Sequence, residues 1–127
     1  MKTPSIKMKI LIVDDNIDIT EMLSKYLTVK GFDCVTTNDG LNGLNLIKKE
    51  KFDTVFLDIS MPDFGGMDVL IALEKENVLK DQRIVIFTAS SISNEKIQAL
   101  LEKDGIEACL RKPVQLSEIL LTIIVGN

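Results

Sequence analysis

Three stretches of this chain are apolar almost without a break: KILIV at 9–13, TVFL at 54–57 and RIVIF at 83–87. A strand with one face in water alternates apolar and polar residues, so an unbroken run marks a strand covered on both faces. Two further strand-like runs are DCVTT at 33–37 and EACLR at 107–111. After each run, apolar residues recur at helical spacing. Ile19, Met22, Leu23, Tyr26 and Leu27 make one stripe, Leu41, Leu44 and Ile47 a second, and Val69, Leu70 and Leu73 a third. Ile97, Leu100 and Leu101 make a fourth, and Leu116, Ile119, Leu120 and Ile123 a fifth. Each stripe is one face of an amphipathic helix. Strand then helix, five times over, predicts parallel pairing through right-handed crossovers, hence an α/β fold with an open central sheet. Gly31 is the expected stop of the first helix. Asp39-Gly40 opens the second, Ser93 or Asn94 caps the fourth, and Gln115-Leu116 opens the fifth after Pro113.

At 127 residues the chain suits one domain around one core, with no internal repeat or linker. A net charge of -4 argues against direct nucleic-acid binding, which relies on basic patches. There is no histidine, so the commonest general base is missing and any metal must be held by oxygen, which favours Mg²⁺, Ca²⁺ or Mn²⁺. Cys34 and Cys109 lie far apart in apolar runs, as reduced, buried thiols of a cytoplasmic protein do. The N-terminal MKTPSIKMK has no apolar core of a signal peptide, and the longest apolar run, ILLTIIVG, is too short to cross a bilayer. Residues 1–7 are expected to be flexible.

Polar residues gather where the runs end. The first strand leads into Asp14-Asp15, the third into Asp58, the fourth into Thr88 and the fifth into Lys112-Pro113. Parallel strands end on one edge, so three carboxylates, a hydroxyl and an ammonium should meet there. Open α/β sheets bind ligands at that edge, where the strand order reverses. With the order 2-1-3-4-5, borrowed from flavodoxin-like sheets rather than read from the runs, the reversal falls beside the strands that carry the aspartates. Taken singly, each residue has a plain use: Asp14 or Asp15 as a helix cap, Asp58 as the start of a turn, Thr88 as strand filler, Lys112 as a solvated charge. Together they raise a cost, since two carboxylates about 4 Å apart repel by roughly 4 kcal/mol at an effective dielectric of 20. Lys112 offsets part of that, and a hard divalent cation with a phosphate oxygen offsets it more fully.

The pieces ILIVDDN, FLDISMPDFGG, IFTAS and LRKP, in this order, resemble the receiver domain of two-component response regulators, in particular the stand-alone chemotaxis type. The resemblance covers about residues 8–125. It implies a flavodoxin-like (βα)5 fold, a doubly wound parallel five-stranded sheet. Asp58 is implied as phosphoacceptor, Asp15 as the direct Mg²⁺ ligand, Asp14 as a ligand mainly through water, and the Ser60 carbonyl as the rest of the shell, with Mn²⁺ as an alternative ion. Thr88 is implied as the switch hydroxyl, Lys112 as the phosphoryl contact, and Pro113 as following a cis peptide bond. The implied partners are a sensor histidine kinase or phosphotransfer protein and a downstream protein that reads the face of the fourth helix, fifth strand and fifth helix. Homodimerisation on phosphorylation stays open, and no membrane insertion is implied. Such a protein is a self-phosphorylating switch rather than a turnover enzyme.

This chain departs from the family at one position of that face. Cys109 stands three residues before the lysine, where the family often has Tyr or Phe, so with Thr88 but no ring the face is expected to change less on phosphorylation, or to change by helix movement. Ser60 and Ser90, each two residues beyond Asp58 and Thr88, sit where the family tunes water attack on the acyl phosphate. Two other readings fit the chain less well. A haloacid-dehalogenase-type phosphatase needs its nucleophile on the first strand in a D-x-D pattern, which VDDN does not match. A pseudo-receiver that never takes phosphate sits poorly with the complete set of Asp58, Thr88 and Lys112.

Overall fold

The computed structural model describes residues 7–89 and 91–126. The runs form strands β1 (Lys9–Val13), β2 (Asp33–Thr37), β3 (Thr54–Asp58), β4 (Ile84–Thr88) and β5 (Ile106–Arg111). The stripes form helices α1 (Ile17–Val29), α2 (Gly40–Lys49), α3 (Gly66–Lys75), α4 (Asn94–Leu101) and α5 (Leu116–Gly126). A short 3₁₀ turn at Leu79–Asp81, unforeseen in the sequence, leads into β4. All strand pairs are parallel and the order is β2-β1-β3-β4-β5, the doubly wound, flavodoxin-like arrangement expected. Most of residues 1–7, and Ser90, lie outside the described residues.

The unbroken apolar runs are explained by two cores. Side chains alternate across a strand, so β1, β3 and β4 must supply both faces of the sheet. Leu11, Val13, Val55, Leu57, Ile84 and Ile86 pack with Leu44, Ile47, Val69, Leu73 and Leu100 from α2, α3 and α4. Ile10, Ile12, Phe56, Val85 and Phe87 pack with Leu23, Leu27, Ile119 and Ile123 from α1 and α5. Phe56 and Phe87 stack with ring centroids 5.3 Å apart. Every residue of β3 and β4 is buried, whereas the edge strands β2 and β5 carry half-exposed positions.

Two stripes are shifted from the sequence expectation. Met22 and Leu41 are about half exposed, at 47% and 50%. On α2 the core side is Gly40, Gly43, Leu44 and Ile47. A Cβ on Gly43 would lie 2.9 Å from both γ carbons of Val13, so the close approach of α2 to β1 needs a residue without one. The helix turns that glycine inward and Leu41 outward. On α1 the core side includes Thr20, whose hydroxyl donates to the Ile17 carbonyl and accepts from Asn38 Nδ2.

Helix starts follow local chemistry. Asn16 caps α1 by accepting from the Ile19 amide, Asp39 caps α2 by accepting from Leu41, and Ser93 caps α4 by accepting from Lys96. The alternative use of Asp14 or Asp15 as the cap of α1 is therefore not realised, since Asn16 takes that place. Of the two candidates for α4, Ser93 is the cap, and Asn94 is turned to another use described below.

Candidate functional site

The strand register brings the polar ends level. Val13 pairs with Leu57, Asp58 with Phe87 and Thr88 with Arg111. Backbone bonds continue the ladder past the strands: the Asp14 amide donates to Thr37 O, Ile59 to Phe87 O and Lys112 to Thr88 O. The five side chains therefore arise at one edge because parallel strands point one way. Gly66 keeps the edge tight. A Cβ there would lie 2.4 Å from the Asp58 carbonyl oxygen and 2.7 Å from Ile59 Cα.

Lys112 is the hub. Its Nζ lies 2.8 Å from Asp14 Oδ2 and 3.2 Å from Asp58 Oδ2. The Asp58 contact is a hydrogen bond, whereas buried Asp14 Oδ2 has no aligned hydrogen-bond partner and contacts the ammonium by charge. The other oxygens serve the backbone. Asp14 Oδ1 accepts from the Asn16 amide and Asp58 Oδ1 from the Ser60 amide, both at 2.9 Å. The plain turn-forming role and the role in the polar cluster coexist, because a carboxylate has two oxygens to divide between them.

Burial sets the electrostatics. Asp14, Asp58 and Thr88 are 0%, 3% and 0% exposed, while Asp15 stands in solvent. Burial pushes the Asp14 carboxyl above the ordinary carboxylate range; the Lys112 ammonium and the Asn16 amide oppose this, and the Asp58 charge adds to it. Burial also works against a charged Lys112. The Asp14 and Asp58 carboxylates outweigh it and raise the Lys112 pKa above the usual lysine value.

Asp14, Asp15 and Asp58 each offer a carboxylate oxygen within 4.8 Å of the others. Three convergent acids, one with a buried oxygen lacking a hydrogen-bond donor, fit a small hard cation with oxygen ligands. Ser60 is exposed in the turn after Asp58. The Lys112–Pro113 peptide is cis, as the resemblance implies.

The Thr88 hydroxyl donates to the Ala89 carbonyl at 3.1 Å and so is bonded to its own loop. Asp58 is covered by the turn after β3 and by the Lys112 side chain. Cys109 is half-buried, packed against the core on the α4 side. Asn38, a residue the sequence did not single out, donates from Nδ2 to the Asp14 carbonyl at 2.7 Å and to Thr20 Oγ1 at 3.0 Å. It anchors the β1–α1 turn from a loop more than twenty residues away, and nothing local to it signals that contact. Beside Lys112 an apolar groove of about 460 Å³ runs between Ile19, Met22 and Leu23 of α1 and Pro113-Val114.

The sequence itself matches a known family. Residues 10–124 match the response regulator receiver domain, and the chain belongs to that family. It is 32% identical over 118 residues to the sensor histidine kinase RcsC of Salmonella typhi, spanning 93% of this chain and 12% of that protein. It is 33% identical over 115 residues to the CpxR homolog of Haemophilus influenzae, a transcriptional regulatory protein, spanning 91% of this chain and 48% of that protein. The chain therefore spans about half of the curated regulator and a small part of the kinase. The chemotaxis response regulator CheY4 of Vibrio cholerae superposes with a TM-score of 0.82 at 29% identity, covering 96% of this chain and all of that one. The family is a signalling phosphoacceptor of two-component systems rather than a turnover enzyme, and its receiver domains work with sensor histidine kinases. Among the described residues, no helix is long and apolar enough to cross a membrane.

Proposed function

We propose that this chain is a cytoplasmic, Mg²⁺-dependent switch that takes a phosphoryl group on Asp58 from a histidine kinase or phosphotransfer protein. The observation that carries the reading is the Lys112 ammonium placed between Asp14 Oδ2 and Asp58 Oδ2, at 2.8 and 3.2 Å, inside a cluster of three acids. Asp58 Oδ2 attacks phosphorus, a new O–P bond forms, and the bond to the donor's leaving group breaks with its electron pair. Phosphoryl transfer asks for positioning and charge neutralisation more than for covalent help. Asp58 is positioned from both sides, by the Ser60 amide on Oδ1 and by the tight packing of Gly66 beneath its carbonyl. Lys112 then moves from carboxylate to phosphoryl oxygen and keeps a cationic partner on the new anion.

Asp14, Asp15, Asp58 and the Ser60 carbonyl are the residues that would hold Mg²⁺, or Mn²⁺ in its place. Bound there, the ion supplies a second positive charge against the phosphoryl oxygens. The buried Thr88 hydroxyl exchanges the Ala89 carbonyl for a phosphoryl oxygen, and the loop that carries Ala89 follows. Its movement alters the face of α4, β5 and α5 for a downstream protein, or for a second copy of this chain. A nucleophile on the third strand rather than the first separates this site from haloacid-dehalogenase-type phosphatases.

The test is incubation with Mg²⁺ and a small acyl-phosphate donor, followed by intact-mass measurement. One labile phosphoryl adduct is expected, lost in Asp58→Asn and lost when a chelator removes the divalent ion. Failure of any adduct to form with Mg²⁺ present overturns the reading.

A further inference from the structure

The missing aromatic ring at Cys109 leaves open what passes a movement of Thr88 to α4. Two residues on, Arg111 is the last residue of β5 and the register partner of Thr88. Its side chain is on the same side of β5 as Cys109, the α4 side. Nη1 donates to the Ile92 carbonyl at 3.0 Å, and Nη2 donates to Asn94 Oδ1 at 2.7 Å. Ile92 belongs to the loop after Thr88, and Asn94 is the first residue of α4.

These bonds join a chain that begins at the switch hydroxyl. Thr88 Oγ1 donates to the Ala89 carbonyl, and the same carbonyl accepts from the Ile92 amide at 3.3 Å. The Ile92 carbonyl then accepts from Arg111, which also holds Asn94. Asn94 is released for this contact because Ser93 caps the helix. So one guanidinium, with a rigid fork of donors, grips the loop and the helix start together in the arrangement where the Thr88 hydroxyl is bonded to Ala89.

We propose that Arg111 is the positioning residue that holds α4 in its resting place, and that its grip on Ile92 and Asn94 does the coupling an aromatic ring would do elsewhere. This rests on the phosphoacceptor reading above. When Thr88 turns to the phosphoryl group, the Ala89 carbonyl loses a donor, Ala89 and Ile92 shift, and Arg111 loses its carbonyl. Coupling is reciprocal, so a grip that opposes the active arrangement also opposes phosphorylation.

The test compares the wild type with Arg111→Met, which keeps the stem and removes the fork, and Arg111→Lys, which keeps the charge. Each is titrated with beryllofluoride in Mg²⁺, following amide shifts of residues 92–101, and each is treated with the acyl-phosphate donor. Arg111→Met is expected to bind the mimic about fivefold more tightly, at the low end of ordinary allosteric coupling. Its α4 amides without the mimic should already lie displaced toward the bound positions, with Arg111→Lys between the two. Mg²⁺ affinity without the mimic should stay within twofold, since the hydrogen bonds described for Arg111 go to Ile92 and Asn94 and not to Asp14, Asp15 or Asp58. Equal mimic affinity and an equal α4 response in all three proteins would overturn the Arg111 assignment alone. No adduct and no mimic binding in any of them would overturn the phosphoacceptor reading and the coupling with it.

Discussion

Lys112→Met is the substitution that most directly tests the electrostatics of the site. At an effective dielectric of 20, an ammonium 2.8 Å from one carboxylate and 3.2 Å from another gains about 6 and 5 kcal/mol. These are ceilings, because the Lys112 side chain is 28% exposed and water screens it. Measured losses for breaking a buried pair run near 3–5 kcal/mol, and screening takes this one to about 2–3 kcal/mol. In a domain of this size that lowers Tm by roughly 8–12 °C. The methionine stem keeps most of the packing, so the loss reports charge. Urea unfolding in a chelator at pH 8 should show the full deficit. Added Mg²⁺ should shrink it, because without the competing ammonium on Asp14 and Asp58 the variant binds the ion more tightly, and so gains more than the wild type at the same concentration. Lower pH should shrink it too. The Asp14 pKa is raised on folding, so its contribution to stability is fully present below the unfolded value of 3.8 and is lost as pH rises through the folded one. Without Lys112 that folded value climbs further, and Asp14 protonates at a milder pH. A variant as stable as the wild type in chelator, with the same response to Mg²⁺, would refute the claim that the acids need a counter-charge.

Three other substitutions or titrations read different parts of the molecule. Asp14→Asn removes a carboxylate that the fold tolerates less well in its charged form, so without divalent ions its Tm should rise by a few degrees, the response to about 1 kcal/mol, while stabilisation by Mg²⁺ is lost in calorimetry. Gly66→Ala drives a Cβ to 2.4 Å from the Asp58 carbonyl oxygen; a loss of about 1–3 kcal/mol in urea unfolding is expected, with slower adduct formation because Asp58 must shift. Burial raises the Cys34 thiol from 9.0 to about 11, so its alkylation in the native protein at pH 8 should be about 100-fold slower than in urea, by the ratio of thiolate fractions. The same shift stabilises the fold fully below pH 9.0, and that contribution is lost as pH rises toward about 11, which unfolding at pH 8, 9 and 10 will follow.

Much of the site is legible in the sequence because its chemistry sits at strand ends. Asp14, Asp58, Thr88 and Lys112 each follow or close an apolar run, and parallel topology alone brings such positions to one edge. Asn38 and Arg111 were not legible. Both act across the fold, Asn38 on the Asp14 carbonyl and Arg111 on Ile92 and Asn94, and neither contact leaves a mark in the neighbouring sequence. The misplacement of Leu41 has a related cause. Hydropathy assigns a leucine to the core by its side chain, but the packing of α2 on β1 selected Gly43 by its lack of one.

The amino-acid order by itself determined that β1, β3 and β4 lie between two layers, since their apolar runs leave no face for water, and which functional groups stand at the ends of those strands. It also determined the departure at Cys109, which is a matter of residue identity. Only the tertiary structure decided that one ammonium serves two carboxylates 54 residues or more away in the chain, that Asp58 lies buried beneath it, and that Arg111 holds the start of α4. The physical reason is range. Strand character and capping arise among residues within a turn or two of one another, whereas the sharing of a buried charge depends on how separate strands and loops are packed to within a few ångströms.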